Sequence, residues 1–259
     1  MQPLKPRFQT PDGTSCGNVQ YCVRTSDIDL VGDGTHLTFF QMVGSFGFGT
    51  RNYQQHVKLW THILRDLEIA ISHVNVHPES GFERYWEDIF PVRHDVDCLW
   101  SDGNVGGYCS ELFTPSGLEV GNLVNPLGHS IDVGFGYERI LQGMEGKARV
   151  EETELFDQTL DPVSRDHVRT LTVFHQQGIS PGNRGRNYIC RRLARRFIRL
   201  NGDVDVPFKH WLHNERIRME QAICDARRHW RKNGECPDHF YWDTFGVLPE
   251  ELSLVKGSS

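Results

Sequence analysis

The sequence predicts an α+β fold, with a largely antiparallel sheet in residues 1–155 and a small helical domain over 156–259. Three observations lead there. Strand-like runs in the first half arrive as near neighbours with few helices between them, which suits antiparallel pairing rather than a doubly wound sheet. The stretch from Ser130 to Ile140 reads as a strand that turns through Gly134 and Gly136 into a helix. After about residue 150 the apolar positions recur at the three- and four-residue steps of helices.

Taken in order, residues 1–18 carry three prolines, two glycines and polar residues and read as an extended arm. Gln20 to Arg24 is the first strand, 25–35 is turn-rich, and His36 to Val43 is the second strand. Their β-branched and aromatic content predicts an antiparallel hairpin, closed by the glycines between Gly44 and Gly49. From Tyr53 to Ile71 the apolar residues Val57, Trp60, Ile63, Leu64, Leu67 and Ile71 mark an amphipathic helix. Val74 to His77 is a short strand, followed by a helix near 80–90. Cys109-Ser110-Glu111 begins another strand, and 119–125 supplies one more before the Ser130 stretch. Beyond it, Val163–Gln177, Tyr188–Leu200 and 211–232 are helical by period, with Gly178 as a C-cap and Pro181 beyond it.

Composition excludes several classes. No apolar run approaches the roughly 18 residues of a membrane span, and the first residues show no signal-peptide core, so the expected location is cytoplasmic. Net charge is −6, a poor balance for nonspecific nucleic-acid binding, although Arg191, Arg192, Arg195, Arg196 and Arg199 form a local basic run. Seven cysteines without a CxxC pair read as reduced thiols rather than a disulfide or zinc framework. The pairs His73/His77 and His210/His213 lack a carboxylate companion, so no metal site is expected.

The chemistry-bearing residues lie in two places. Asp132 sits on the strand side of the Ser130 stretch and Arg139 on the first helical turns, so a carboxylate and a guanidinium can face one cleft. Gly134 and Gly136 allow close backbone approach by a ligand. Arg24 ends the first strand. Two arginines on separate strands suit a bent triphosphate.

At these residues the chain resembles the catalytic core of the alanyl-tRNA synthetases, class II aminoacyl-tRNA synthetases. "QYCVRTSDIDLVGDGTHLTFFQMVGSFGFG" is similar to that family's motif 2 hairpin and "DVGFGYERI" to its motif 3. "DCLW", "GGYCSELF" and "EVGNLV" follow the family's order between them. "DHVRTLTVFHQQGISPGNRGRNYICRRLARRFIRLNG" resembles the start of its helical, acceptor-stem-binding region, and "YWDTFGVLPEEL" a later signature. The resemblance implies a class II-like antiparallel sheet, ATP and Mg²⁺, and alanine as substrate. It implies that Arg24 grips the α-phosphate and Arg139 the far phosphates, with Phe39 under the adenine and Phe40 the second choice. Asp132 would pair with the substrate ammonium, Trp100 would wall its small side chain, Asn122 would hold its polar end, and Gly134 would leave room. Read without the resemblance, Trp100 is more readily a core residue than a ligand wall, and Asp132 a cap for the turn after it.

The sequence departs from the family at several points. Only about 19 residues precede the hairpin where motif 1 is expected, and the remaining helical region, the editing domain and the C-terminal domain have no counterpart. Gln41 replaces an acidic residue, Gly121 an aromatic, the 125–129 stretch is short, and Asn104–Tyr108 replaces a proline- and cysteine-rich loop. The departures favour an enzyme that makes alanyl-adenylate and passes the alanyl group to a non-tRNA acceptor, such as a nucleoside-like amine in an antibiotic or related biosynthetic pathway. A minimal tRNA(Ala) ligase, using Asn183 and the arginine run, is the alternative. A non-catalytic synthetase-like module is the third reading, and the presence of both arginines counts against it.

Overall fold

The computed structural model describes residues 4–49, 52–201 and 205–257. The chain folds as two compact units, Met1–Phe156 and Asp157–Ser259.

The first unit contains the strands β1 (Ser15–Val23), β2 (Phe39–Gly47), β3 (His73–Val76), β4 (Val92–His94), β5 (Leu99–Asp102), β6 (Val105–Phe113), β7 (Glu119–Val124) and β8 (Ile131–Gly136). They form a sheet of order β1-β2-β8-β7-β6-β3-β4, with β5 paired to β6. Every pairing is antiparallel except β3 with β4. The α+β expectation with an antiparallel sheet is met.

Period-two alternation gives this sheet two different faces. On β8, Ile131, Val133 and Phe135 are buried on one face, where they join Val74, Val76, Leu112 and Leu123. The helix α2 (Tyr53–Asp66) covers that face with Tyr53, Val57, Trp60 and Leu64, and the Trp60 ring stacks on Phe135 at 4.4 Å. Burying each large side chain there stabilises the unit by about 1.5–3 kcal/mol. Asp132, Gly134 and Gly136 alternate onto the opposite face. That face carries the site.

Several elements differ from their predicted extents. Residues 1–3 of the expected arm lie outside the described residues, and the rest is not simply extended. Lys5–Gln9 forms a short helix, α1, whose Phe8 is fully buried against Phe46 and Phe48. The first strand begins at Ser15 and the second runs through Gly47, because Ser15 pairs with Gly47 in an unbroken ladder. Gly44 does not close a turn. It lies in mid-strand opposite Gly134, where a Cβ would stand 1.8 Å from the Val133 carbonyl oxygen. The expected helix near 80–90 is a single turn, α3 (Glu83–Trp86), and α2 stops at Asp66 just before Glu68 takes a φ of 57°. Beyond β8 the chain enters α4 (Tyr137–Glu145) directly.

The second unit holds α5 (Pro162–Gln176), α6 (Gly185–Asn201), α7 (Lys209–Asn233), α8 (Asp238–Phe245) and α9 (Leu252–Lys256). The Asp161 carboxylate caps α5 by accepting from the Ser164 N–H at 3.1 Å. Within α6 part of the basic run is engaged by carboxylates of the chain. Arg195 is 3% exposed and pairs with Glu215 at 3.2 Å and Glu251 at 3.0 Å. Arg191 faces Glu215 and donates to Asn183, Arg192 pairs with Glu250, and Arg199 donates to the Glu250 carbonyl. Arg196 is not free either.

Candidate active site

A cleft opens on the second face of the first unit's sheet, enclosing about 610 Å³ of space continuous with solvent. Its walls come from the ends of β1, β2, β7 and β8, from the first turn of α4, and from the connection between β1 and β2. It brings Arg24, Asn122, Gly134, Gly136 and Arg139 together, five of the residues singled out in the sequence.

The two guanidiniums sit on opposite sides. Arg24 follows β1, its backbone N–H donates to the Thr38 carbonyl at 2.9 Å, and its guanidinium lies 5.0 Å from the Phe40 ring centre. Asp27 stands 4.0 Å from the same guanidinium, whose side chain remains 56% exposed. Arg139 lies on the first turn of α4 and donates through Nη1 to both the carbonyl and the carboxylate of Glu119, each at 2.9 Å. Both arginines are thus held by carboxylates that a phosphate chain can replace or that a divalent cation can draw on. The α4 turn is itself fixed by Glu138, 1% exposed, whose two carboxylate oxygens accept from the Gln41 N–H at 3.1 and 3.0 Å.

The aromatic assignment needs correction. Phe39 is 2% exposed and meets Tyr21 edge-on, so it belongs to the packing and offers no face to the cleft. Strand alternation sends Phe40 into the cleft instead, together with Met42. The two rings are adjacent in the sequence, and the phase of the strand decides which one meets the cleft.

Asp132 lies one row deeper on the same face. The register sets Phe46, Asp132, Val124 and Cys109 side by side across β2, β8, β7 and β6. The adjacent row is Gly44, Gly134, Asn122 and Glu111. Asp132 is 8% exposed, and among the described residues its carboxylate has no hydrogen-bond or ion-pair partner. Burial pushes its pKa up to about 7. Such a carboxylate is stabilised in its charged form by an incoming cation. Trp100 does not line the cleft, but it packs against the clusters containing Phe46 and Val124, the two cross-strand neighbours of Asp132. It therefore closes the apolar surroundings of that carboxylate. The Asn122 amide faces the cleft with no hydrogen bond among the described residues.

Sequence reasoning missed Thr35, His36 and Leu37 of the connection, and Glu119 and Glu138, all of which line the cleft. Their signal was weak because turn-rich and acidic positions are common. The departures noted in the sequence fit one another. A Cβ at Gly121 would lie 2.3 Å from the Phe135 ring, and one at Gly107 would lie 2.0 Å from the Asn125 carbonyl, so the glycines make room for a large core ring and a shortened loop.

Residues 1–126 match the family of class II (A) tRNA synthetases. The alanine–tRNA ligase of Desulfitobacterium hafniense is 31% identical over an alignment covering 80% of this chain and 32% of that protein. The alanine–tRNA ligase of Tropheryma whipplei is 32% identical over 70% of this chain and 27% of that protein. The chain thus spans about a third of the length of the curated relatives it matches. Among solved structures, a pyrrolysyl tRNA synthetase from D. hafniense aligns over 59% of this chain and 48% of its own at a TM-score of 0.35 and 16% identity. The chain is a homologue of the class II tRNA synthetases, with alanine–tRNA ligases among its relatives.

Proposed function

We propose that this class II synthetase homologue activates alanine as alanyl-adenylate and hands the alanyl group to a small, nucleoside-like amine. The observation that carries the reading is the pairing, on one sheet face, of a two-arginine cleft with a buried carboxylate that has no ion-pair partner among the described residues. The cleft's residue types suit ATP: Phe40 offers an aromatic ring for the base, and Arg24 and Arg139 offer guanidiniums from two sides for the phosphates. Asp132 is suited to the alanine ammonium, and Trp100 limits the room beyond it to a small side chain.

Attack of the alanine carboxylate on the α-phosphorus forms the acyl–phosphate bond and breaks the bond to pyrophosphate. No general base is needed, because the carboxylate is already ionised. The arginines stabilise charge on the α-phosphate oxygens and on the leaving group, and Asp132 aligns the nucleophile. Mg²⁺ would be held by Glu119, whose carboxylate lies at the cleft wall beside Arg139; bound there it would supply further positive charge to the departing pyrophosphate. In the second step the acceptor amine, as the free base, attacks the acyl carbon, AMP departs with the bonding electrons, and the nitrogen's extra proton passes to solvent.

A small acceptor is favoured over tRNA by the basic run of α6. Arg191, Arg192 and Arg195 already face carboxylates within the chain, which reduces the charge left to meet RNA phosphates. The activity for which the relatives are named, ligation of alanine to tRNA, is the competing reading.

ATP–pyrophosphate exchange with alanine, serine and glycine tests the first half. Alanine-dependent exchange is expected, reduced about 10²–10³-fold in Arg139→Ala. No exchange with any amino acid, with candidate acceptors present or absent, refutes the assignment. AMP release with added nucleoside amines or with tRNA(Ala) then separates the acceptors; turnover on tRNA alone refutes the small-acceptor half.

A further inference from the structure

Cys98, Cys109 and Glu111 play no part in the adenylate reading, yet the fold gathers them. β5 starts one residue after Cys98 and pairs with the outer half of β6, placing Leu99 opposite Tyr108. The Cys109 N–H donates to the Cys98 carbonyl at 3.0 Å, so the two cysteines lie side by side across the ladder. Glu111 is two residues along β6 from Cys109 and leaves the strand on the same face. One ligand atom from each of the three lies within 4.8 Å of the others. Both cysteines are buried, at 0% and 2% exposure, while Glu111 is half-buried.

A second observation concerns the adjoining strand. Asn75 stands opposite Glu111 on β3, and its amide nitrogen donates to the Asp95 carboxylate at 3.1 Å. Its Oδ1 is buried with no hydrogen-bond partner. A buried acceptor left unmet costs about 1–3 kcal/mol. It marks a polar spot beside the trio that the chain alone does not complete.

We propose that Cys98, Cys109 and Glu111 bind one divalent cation of the zinc class through two sulfurs and one carboxylate oxygen. Two thiolates with a carboxylate select a borderline-soft ion over Mg²⁺ or Ca²⁺, and three protein ligands leave the fourth tetrahedral position for water or a ligand. Binding displaces both thiol protons to solvent, so each ion taken up releases two protons. The register puts the trio beside the amino-acid end of the cleft: Glu111 neighbours Asn122, and Cys109 neighbours Val124, which in turn neighbours Asp132. Cys98 immediately precedes β5 and Cys109 lies on the paired strand β6, outside any short ligand spacing, which is why the sequence shows no metal motif.

The test reads the metal itself and is independent of the adenylate assignment. The purified full chain is reduced, stripped with a chelator, and titrated with Zn²⁺ against a chromophoric competitor and with Co²⁺ by absorption. The expected result is a single equivalent bound, thiolate-to-cobalt charge transfer, and visible bands of a four-coordinate ion. Cys98→Ser/Cys109→Ser loses all of these, while Cys224→Ser, exposed on α7, keeps them. Circular dichroism of the metal-free variants checks the fold. If the double variant does not fold, Glu111→Gln, which retains both thiols, lowers affinity by about tenfold or more. Metal retained by the double variant, affinity unchanged in Glu111→Gln, no uptake by the reduced chain, or a Cys98–Cys109 disulfide in chain isolated with zinc supplied overturns the proposal.

Discussion

Replacing Asp132 with asparagine separates two roles of a buried carboxylate, because stability and activity move in opposite directions. In the folded chain, burial raises this carboxyl from 3.8 to about 7. Between those values the folded state holds a proton that the unfolded state has released. The associated stability is therefore complete below about pH 3.8 and is lost as pH rises towards 7. At about 1.36 kcal/mol per pH unit the loss reaches about 4 kcal/mol. Asparagine cannot ionise and escapes it. Asp132→Asn is expected to melt close to the parent near pH 4 and about 10 °C above it near pH 8, taking about 2–4 °C per kcal/mol for a chain of this size. The same variant loses the partner of the alanine ammonium, which costs about 2–5 kcal/mol in kcat/KM for alanine. In the parent, kcat/KM for alanine falls as pH drops below about 7, because the free enzyme must be ionised at this position. Melting at the two pH values and pyrophosphate exchange across roughly pH 5.5–8.5, which brackets the expected midpoint, make the measurement. A variant that melts below the parent at both pH values, or that exchanges pyrophosphate at the parent's rate, refutes the assignment.

Three further outcomes follow from named contacts. Phe40→Ala raises KM for ATP by about tenfold, from the loss of about 1–3 kcal/mol of stacking, with little change in melting; Phe39→Ala costs about 3–5 kcal/mol of stability and leaves KM for ATP alone, as steady-state kinetics and denaturant titration will show. Gly44→Ala forces a Cβ to within 1.8 Å of the Val133 carbonyl and separates β2 from β8, lowering stability by about 3 kcal/mol or more in urea titration. Arg195→Met strips the buried Glu215 and Glu251 of their shared cation and destabilises the second unit by about 3–5 kcal/mol, read by hydrogen exchange on α6 and α7.

Local pattern was enough for β1, β2, β3, β6, β7 and β8 and for α2 to α7 in their order, but not for β4, β5, α8 or α9; it also showed the Arg24 hairpin and the strand-to-helix turn carrying Asp132 and Arg139. These are short-range features: residue-type preferences and period decide them, and a few neighbouring side chains suffice. The same is true of α5 and α7, whose apolar periods reach nearly their full observed lengths. Pattern also left visible gaps, and each has a physical origin. The arm was read as extended because Pro3, Pro6 and Pro11 disfavour regular structure, yet Phe8 finds a buried slot against Phe46 and Phe48, and that tertiary contact holds a short helix. Gly44 looked like a turn; neighbouring strands on both sides made it a mid-strand position where only a missing Cβ fits.

The aromatic pair shows the limit most plainly. Phe39 and Phe40 are equal candidates by composition, and a one-residue phase in β2 decides which faces the cleft. The basic run of α6 shows only its charges in the sequence; the fold brings Glu215, Glu250 and Glu251 to Arg192 and Arg195 from elements distant in the chain. Cys98, Cys109 and Glu111 carried no spacing signal, because a β-ladder rather than a loop brings them together. For this protein the sequence by itself determined which chemical groups are present and which strand or helix bears each one, since those depend on residue type and local periodicity. Tertiary structure alone decided which face each group points to and which opposite charge it meets, since register and burial are set by contacts between residues far apart in the chain.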